Sequence, residues 1–280
     1  MKITRARSAG FCFGVRRAIN ISLATAKLKN PIYMLGDIVH NENVVKEIEK
    51  NGIRKIKRLS KGKGKTLLIR AHGTSRKVLR KAKALGYKIV DATCPMVKEI
   101  HKIAKSLENN GRQVIIVGDK RHDEVRGIIG QLSSKAIVID RPEKINLAAI
   151  KRIKRAGVIV QSTQNLENVL KIVALLKTQV KDLDFRNTIC QPTKTKQDEM
   201  KSMPLENDLM IIIGSRASAN TKRIYEISKS LNKNSYWVNS AGEINKNWLA
   251  EAKSIGVTAG ASTPESTIQE VIQKIKTISC

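Results

Sequence analysis

Short, nearly continuous apolar runs alternate along this chain with stretches of helical periodicity, and no other feature limits the possible fold as much. The runs fall at 31–36, 66–72 and 88–93, then at 113–119, 135–140 and 157–162, and last at 208–215, 235–239 and 255–259, with a short opening run at 2–5. Most are unbroken Val/Ile/Leu rather than alternating, the pattern of parallel strands covered on both faces. Between them lie amphipathic segments. In the first, Val15, Ala18, Ile19, Leu23 and Ala26 recur at helical spacing. Further helices are predicted over 43–50, 76–85, 97–108, 124–132, 166–180, 220–231 and 264–278. Strand–helix alternation of this kind implies an α/β fold with parallel sheets.

The cysteines divide the alternation into thirds. Cys12, Cys94 and Cys190 each stand just before a helical stretch, in CFGVRRAI, CPMVKEIHKI and CQPTKTKQDEM, and three strands fall in each interval. The reading is a threefold structural repeat of small α/β units, 1–94, 95–190 and 191–280. A cysteine at a helix N-terminus gains thiolate character. Three such thiolates leave a tetrahedral centre one ligand short. That suits a catalytic zinc with water in the open position, or a cubane iron–sulfur cluster with one iron open to substrate. On the residues alone both stay open. Cys280, at the frayed end, is a poor fourth ligand.

The predicted strand ends are unusually polar. They carry His40, His72 and His122, three of the four histidines of the chain, and Ser162, Ser215, Ser218, Asn220 and Ser262. In open α/β sheets ligands bind at strand C-termini, where helix starts offer N–H groups and partial positive charge. This pattern reads as an anion site, and the hydroxyls and amides at the 218–220 and 262 helix starts read as a phosphate cradle. Glu124, two residues after His122, is either a favourable acid at a helix start or a proton donor. His101 lies mid-helix among lysines and is read as inert. GKGKT at 62–66 is not a P-loop, because position 59 is Leu and the segment precedes a strand.

The formal net charge is +29, from 53 Lys+Arg against 24 Asp+Glu. Aromatic residues make up only 3%, which offers little for base stacking, and the basic residues are spread along every segment. The first reading of the charge is a lysine-rich, solvated surface; it also suits acidic protein partners and anionic substrates, and a salt-sensitive nucleic-acid binder is a further class the composition admits. No apolar run approaches a membrane span, and the N-terminus has no apolar signal core. We expect a cytoplasmic protein with no membrane contact and no specific nucleic acid.

Nine segments in order carry a resemblance over essentially the whole chain: SAGFCFGVRRAI, GDIVHN, RAHG, DATCP, GDKRHDEVRGIIGQ, QST, TICQPT, GSRASANTKR and VTAGAST. The sequence resembles the 4-hydroxy-3-methylbut-2-enyl diphosphate reductase family, iron–sulfur enzymes that close the non-mevalonate isoprenoid pathway. The resemblance implies three α/β units placed pseudo-threefold around one 4Fe–4S cluster per chain, with Cys12, Cys94 and Cys190 on three irons. It implies Glu124 as proton donor, and His40, His72, His122, Ser218, Ala219, Asn220 and Ser262 around the diphosphate. Ser162 stands where the family usually has a threonine near the substrate hydroxyl. Reduced ferredoxin or flavodoxin is the implied electron donor. One departure is Ala219, since the family cradle usually reads Ser-Ser-Asn.

Overall fold

The computed structural model describes residues 1–279; Cys280 lies outside the described residues. The chain begins with β1 (Lys2–Arg5), α1 (Phe13–Ala26), β2 (Ile32–Leu35), α2 (Glu42–Lys50), β3 (Ile53–Ile56), β4 (Thr66–Ile69), α3 (Arg76–Ala84) and β5 (Lys88–Asp91). The middle runs through α4 (Pro95–Asn109), β6 (Gln113–Val117), α5 (Asp123–Ile129), β7 (Ile137–Ile139), α6 (Leu147–Lys151), β8 (Arg155–Val160), α7 (Leu166–Gln179) and β9 (Asp182–Phe185). The last stretch holds α8 (Gln191–Ser202), β10 (Leu209–Ile213), α9 (Ala219–Leu231), β11 (Ser235–Val238), α10 (Lys246–Leu249), β12 (Ser254–Ala259) and α11 (Glu265–Ser279).

The strands form three four-stranded sheets, ordered β3-β2-β4-β5, β7-β6-β8-β9 and β1-β12-β10-β11, and their pairings are parallel. The first two share one internal order, second–first–third–fourth. The third has the same order if β1 is counted as its fourth strand after β10, β11 and β12. The repeat inferred from the cysteines is therefore present with one exchange. The opening strand pairs with β12, in the register Ile3↔Ile255, and completes the sheet of the last third, not that of the segment 1–94.

The described residues pack as two compact units, bounded differently from the three expected segments. One comprises Met1–Arg16, Val39–Glu47 and the chain from Gln191 onward; the other comprises Arg17–Ile38 and Ile48–Cys190. In the second unit, the central strands β6 and β8 contribute Ile115, Val117, Val158 and Val160 to a core closed on one side by Val169, Ile172 and Leu176 of α7. On the other side Ile100, Ala104 and Leu107 of α4 cover Val114, Ile116 and Ile159. The same two-faced burial holds in the first unit. There Ile211 and Ile213 of β10 meet Ile268, Val271 and Ile275 of α11, and Met210 and Ile212 meet Met200 of α8. Each such side chain contributes roughly 1.5–3 kcal/mol on burial. Stability thus resides in the strand bodies, which leaves the strand ends free to carry polar groups. Among the described residues no helix is long and apolar enough to cross a membrane.

Candidate active site

Each sheet delivers functional side chains from the same three strand ends. The fourth strands lead to the cysteines: Cys12 follows Arg5 of β1, Cys94 follows Asp91 of β5, and Cys190 follows Phe185 of β9. In every case the next residue opens a helix, α1, α4 or α8. All three cysteines are half-buried. One backbone hydrogen bond repeats in all three sheets. The cysteine N–H donates to the carbonyl two residues past the third strand: Cys12 to Ala261 at 3.1 Å, Cys94 to Ala71 at 2.9 Å and Cys190 to Ser162 at 3.0 Å. The sulfur positions are therefore set by the sheets and not by loop chance. Cys12 Sγ also accepts from Val15 N–H at 3.5 Å, the geometry of a side chain at a helix start.

In the unit containing Arg17–Ile38 and Ile48–Cys190, short contacts join the remaining functional groups. His72, beside Ala71, meets His122 edge-on with ring centroids 5.4 Å apart. His122 precedes α5, and its Nδ1 accepts from Glu124 N–H at 3.2 Å. The Glu124 carboxylate then accepts two hydrogen bonds from Ser162, the backbone N–H at 2.6 Å and the hydroxyl at 2.7 Å. The Ser162 carbonyl in turn accepts from Cys190. A connected path thus runs from Cys94 through both histidines, Glu124 and Ser162 to Cys190. Glu124 is 1% exposed. Burial raises its pKa above the ordinary carboxylate value, and the two bonds from Ser162 oppose that rise. Gly127 lets α5 fit closely, since a Cβ there would come within 3.3 Å of the His72 carbonyl.

In the other unit, hydroxyl and amide side chains gather at the ends of β10 and β12. Ser218 caps α9, its Oγ accepting from Thr221 N–H at 3.2 Å. Asn220 is 4% exposed, and both polar atoms of its side-chain amide are buried without a protein partner. Leaving such groups unsatisfied costs about 1–3 kcal/mol each. Ala219 opens α9 between them. Ser262 Oγ donates to the His40 carbonyl at 3.0 Å, which fixes the loop after β2. Ser215 Oγ holds the same loop by donating to Glu42 at 2.8 Å. Gly260 has no room for a side chain, because a Cβ would lie 2.0 Å from Thr221 Oγ1.

Sequence reasoning missed two features. His101 is a wedge, not a bystander: its Cε1 lies 2.9 Å from where a Cβ on Gly73 would stand. Burial lowers its pKa to about 4, so it is neutral. Lys196, on α8, is 2% exposed and donates to the Ser8 and Ala259 carbonyls. Its pKa is lowered to about 8 by burial, against the opposing pull of Cys12 and Glu199. No hydropathy pattern marks it, because the face that α8 buries is mostly polar: Thr193, Lys196, Gln197 and Met200.

The family described as LytB protein matches residues 3–276. A relative from Geotalea uraniireducens, named 4-hydroxy-3-methylbut-2-enyl diphosphate reductase, is 37% identical over 279 residues, covering 100% of this chain and 98% of its own length. One of the same name from Aquifex aeolicus is 38% identical, covering 98% and 95%. A solved structure of (E)-4-hydroxy-3-methyl-but-2-enyl diphosphate reductase, described as the terminal enzyme of the non-mevalonate pathway, has a TM-score of 0.72 at 37% identity and covers 99% of this chain and 100% of that one. A solved structure of the E-1-hydroxy-2-methyl-but-2-enyl-4-diphosphate reductase from Plasmodium falciparum has a TM-score of 0.89 at 28% identity, covering 97% of this chain and 87% of that one. Three repeated parallel sheets with polar strand ends are here the frame of an oxidoreductase. Within that class, the chain belongs to the LytB family of 4-hydroxy-3-methylbut-2-enyl diphosphate reductases.

Proposed function

We propose that the chain converts 4-hydroxy-3-methylbut-2-enyl diphosphate to isopentenyl and dimethylallyl diphosphates, the final step of the non-mevalonate isoprenoid pathway. The carrying observation is the threefold cysteine position, with one hydrogen bond holding Cys12, Cys94 and Cys190 alike. Three equivalently placed cysteines, with no fourth among the described residues, suit a 4Fe–4S cluster that leaves one iron without a protein ligand. Such a cluster, when bound, supplies electrons and a Lewis-acid position for the substrate hydroxyl.

The protein's own groups do the rest. His40, His72, His122, Ser218, Asn220, Ser262 and the backbone at Ala219 hold the diphosphate. The unsatisfied Asn220 amide supports this, because phosphate oxygens would accept from its NH₂ group. Glu124, whose pKa burial raises, delivers a proton to the leaving hydroxyl, and Ser162 fixes the orientation of its carboxyl. Two electrons and two protons are consumed, and the allylic alcohol becomes an alkene plus water. The electrons come from reduced ferredoxin or flavodoxin in the cytoplasm.

The deciding experiment is purification without oxygen, then iron and acid-labile sulfide analysis and product analysis with a dye reductant. Brown protein with about four irons per chain that forms both diphosphates supports the reading. A colourless protein with one zinc per chain overturns it.

Two further outcomes are expected. Ala219→Ser restores a hydroxyl beside Ser218 and should leave pyrophosphate inhibition unchanged or tighten it by up to about 10-fold, the value of one hydrogen bond. Clear weakening would show that the loop at 218–220 does not cradle the diphosphate. Raising ionic strength should slow turnover with an acidic protein donor more than with a small dye, because a net charge of +29 steers acidic partners through a field that salt screens. Equal salt effects on both would remove the steering.

A further inference from the structure

Lys196 is a buried cation that the proposed chemistry leaves unused. Moving an ammonium out of water costs several kcal/mol unless it is compensated. Its hydrogen bonds go to two neutral acceptors, the carbonyls of Ser8 and Ala259. Ser8 lies four residues before Cys12, and Ala259 lies two before Ala261, the acceptor of Cys12 N–H. One turn further along α8, Glu199 takes the other side of Ser8. Its carboxylate accepts the Ser8 N–H at 3.1 Å and the Ser8 hydroxyl. Ser8 is thus gripped at both ends of its backbone by two residues of one helix. The ammonium and the Cys12 sulfur also interact electrostatically in the attractive sense.

We infer that Lys196 is a positioning residue for Cys12, which pins the Ser8–Cys12 loop and, in its protonated form, brings a positive charge to that loop, raising the reduction potential of whatever negative centre the Cys12 sulfur ligates. This deepens the proposed function and rests on its cluster. Two arguments support it. First, the Ser8 carbonyl accepts from Lys196 and the Cys12 N–H donates to Ala261, so hydrogen bonds tie the loop down at both of its ends. Second, charge near a cluster is one of the levers that set its potential. A buried cation favours the added electron, because little water screens it.

The test uses the cluster-loaded protein and three variants. Lys196→Met removes both charge and donors at similar volume. Lys196→Gln removes the charge but keeps two N–H donors. Lys196→Arg keeps both. The readouts are the midpoint potential by redox titration, the rate at which visible absorbance is lost to EDTA, and the unfolding of the metal-free proteins. Both neutral variants should titrate at more negative potential than wild type, and Lys196→Arg should match wild type. Lys196→Met should lose its cluster about 10–100-fold faster, the range for outer-shell ligand partners. If Lys196→Met does not fold, Lys196→Gln alone decides the charge effect. Neutral variants with wild-type potentials would overturn the inference and leave the proposed function standing. Wild-type protein without iron would overturn both.

Discussion

Serine in place of Cys12, Cys94 or Cys190 is expected to give folded protein that has lost its intact cluster and all measurable turnover, whereas Cys280→Ser should keep both. Iron–sulfur centres select soft thiolate ligands, and a serine hydroxyl is a hard, weakly acidic substitute. The fold has no such dependence. The bond from each of the three positions to the third-strand carbonyl comes from the backbone N–H, which serine retains, and the three sulfurs are half-buried rather than packed in a core. Metal-free variants should therefore unfold within about 0.5 kcal/mol of metal-free wild type, the usual range for a substitution outside the core. Iron and sulfide content together with thermal melting check this. A serine variant that kept about four irons per chain would remove that cysteine from the ligand set. Equal loss at all three positions would match their equal place in the three sheets.

How much of this was legible depended on burial. Strands covered on both faces announce themselves: β6 is Gln-Val-Ile-Ile-Val and β10 is Leu-Met-Ile-Ile-Ile, and both were read near their true bounds. Two strands left no such trace. β3, Ile-Arg-Lys-Ile, and β9, Asp-Leu-Asp-Phe, lie at sheet edges, where solvent on one side permits charged residues. The exchange of β1 into the last sheet was invisible for another reason. Its pairing with β12 spans about 250 residues, and no local periodicity encodes a partner so distant. Candidate site residues stand out in the sequence where strand ends turn abruptly polar, as at His72, Glu124 and Ser218. Lys196 and the His101 wedge do not, because each earns its role from a neighbour brought in by the fold. A lysine on a polar helix reads as solvated until Ser8 and Ala259 are placed against it.

Glutamine in place of Glu124 is expected to keep iron, colour and substrate binding while turnover falls by at least about 100-fold, the low end for a lost general acid. The geometry makes this variant clean. Glutamine keeps the carbonyl oxygen that accepts from Ser162 N–H, and its NH₂ group can donate to the Ser162 hydroxyl, which can accept. What vanishes is the transferable proton. If Glu124 merely favours the start of α5, turnover should stay near normal. The pH dependence of stability gives a second readout. Burial raises the folded-state pKa of Glu124 above its unfolded value. Between those two values the folded state binds a proton that the unfolded state has lost, so wild-type stability falls as pH rises through that window. Glutamine cannot ionise, so the melting temperature of Glu124→Gln relative to wild type should climb from acidic toward neutral pH and then level off. A difference that stays flat across this range would mean that burial does not raise the Glu124 pKa, and would count against Glu124 as the proton donor of the proposed reaction.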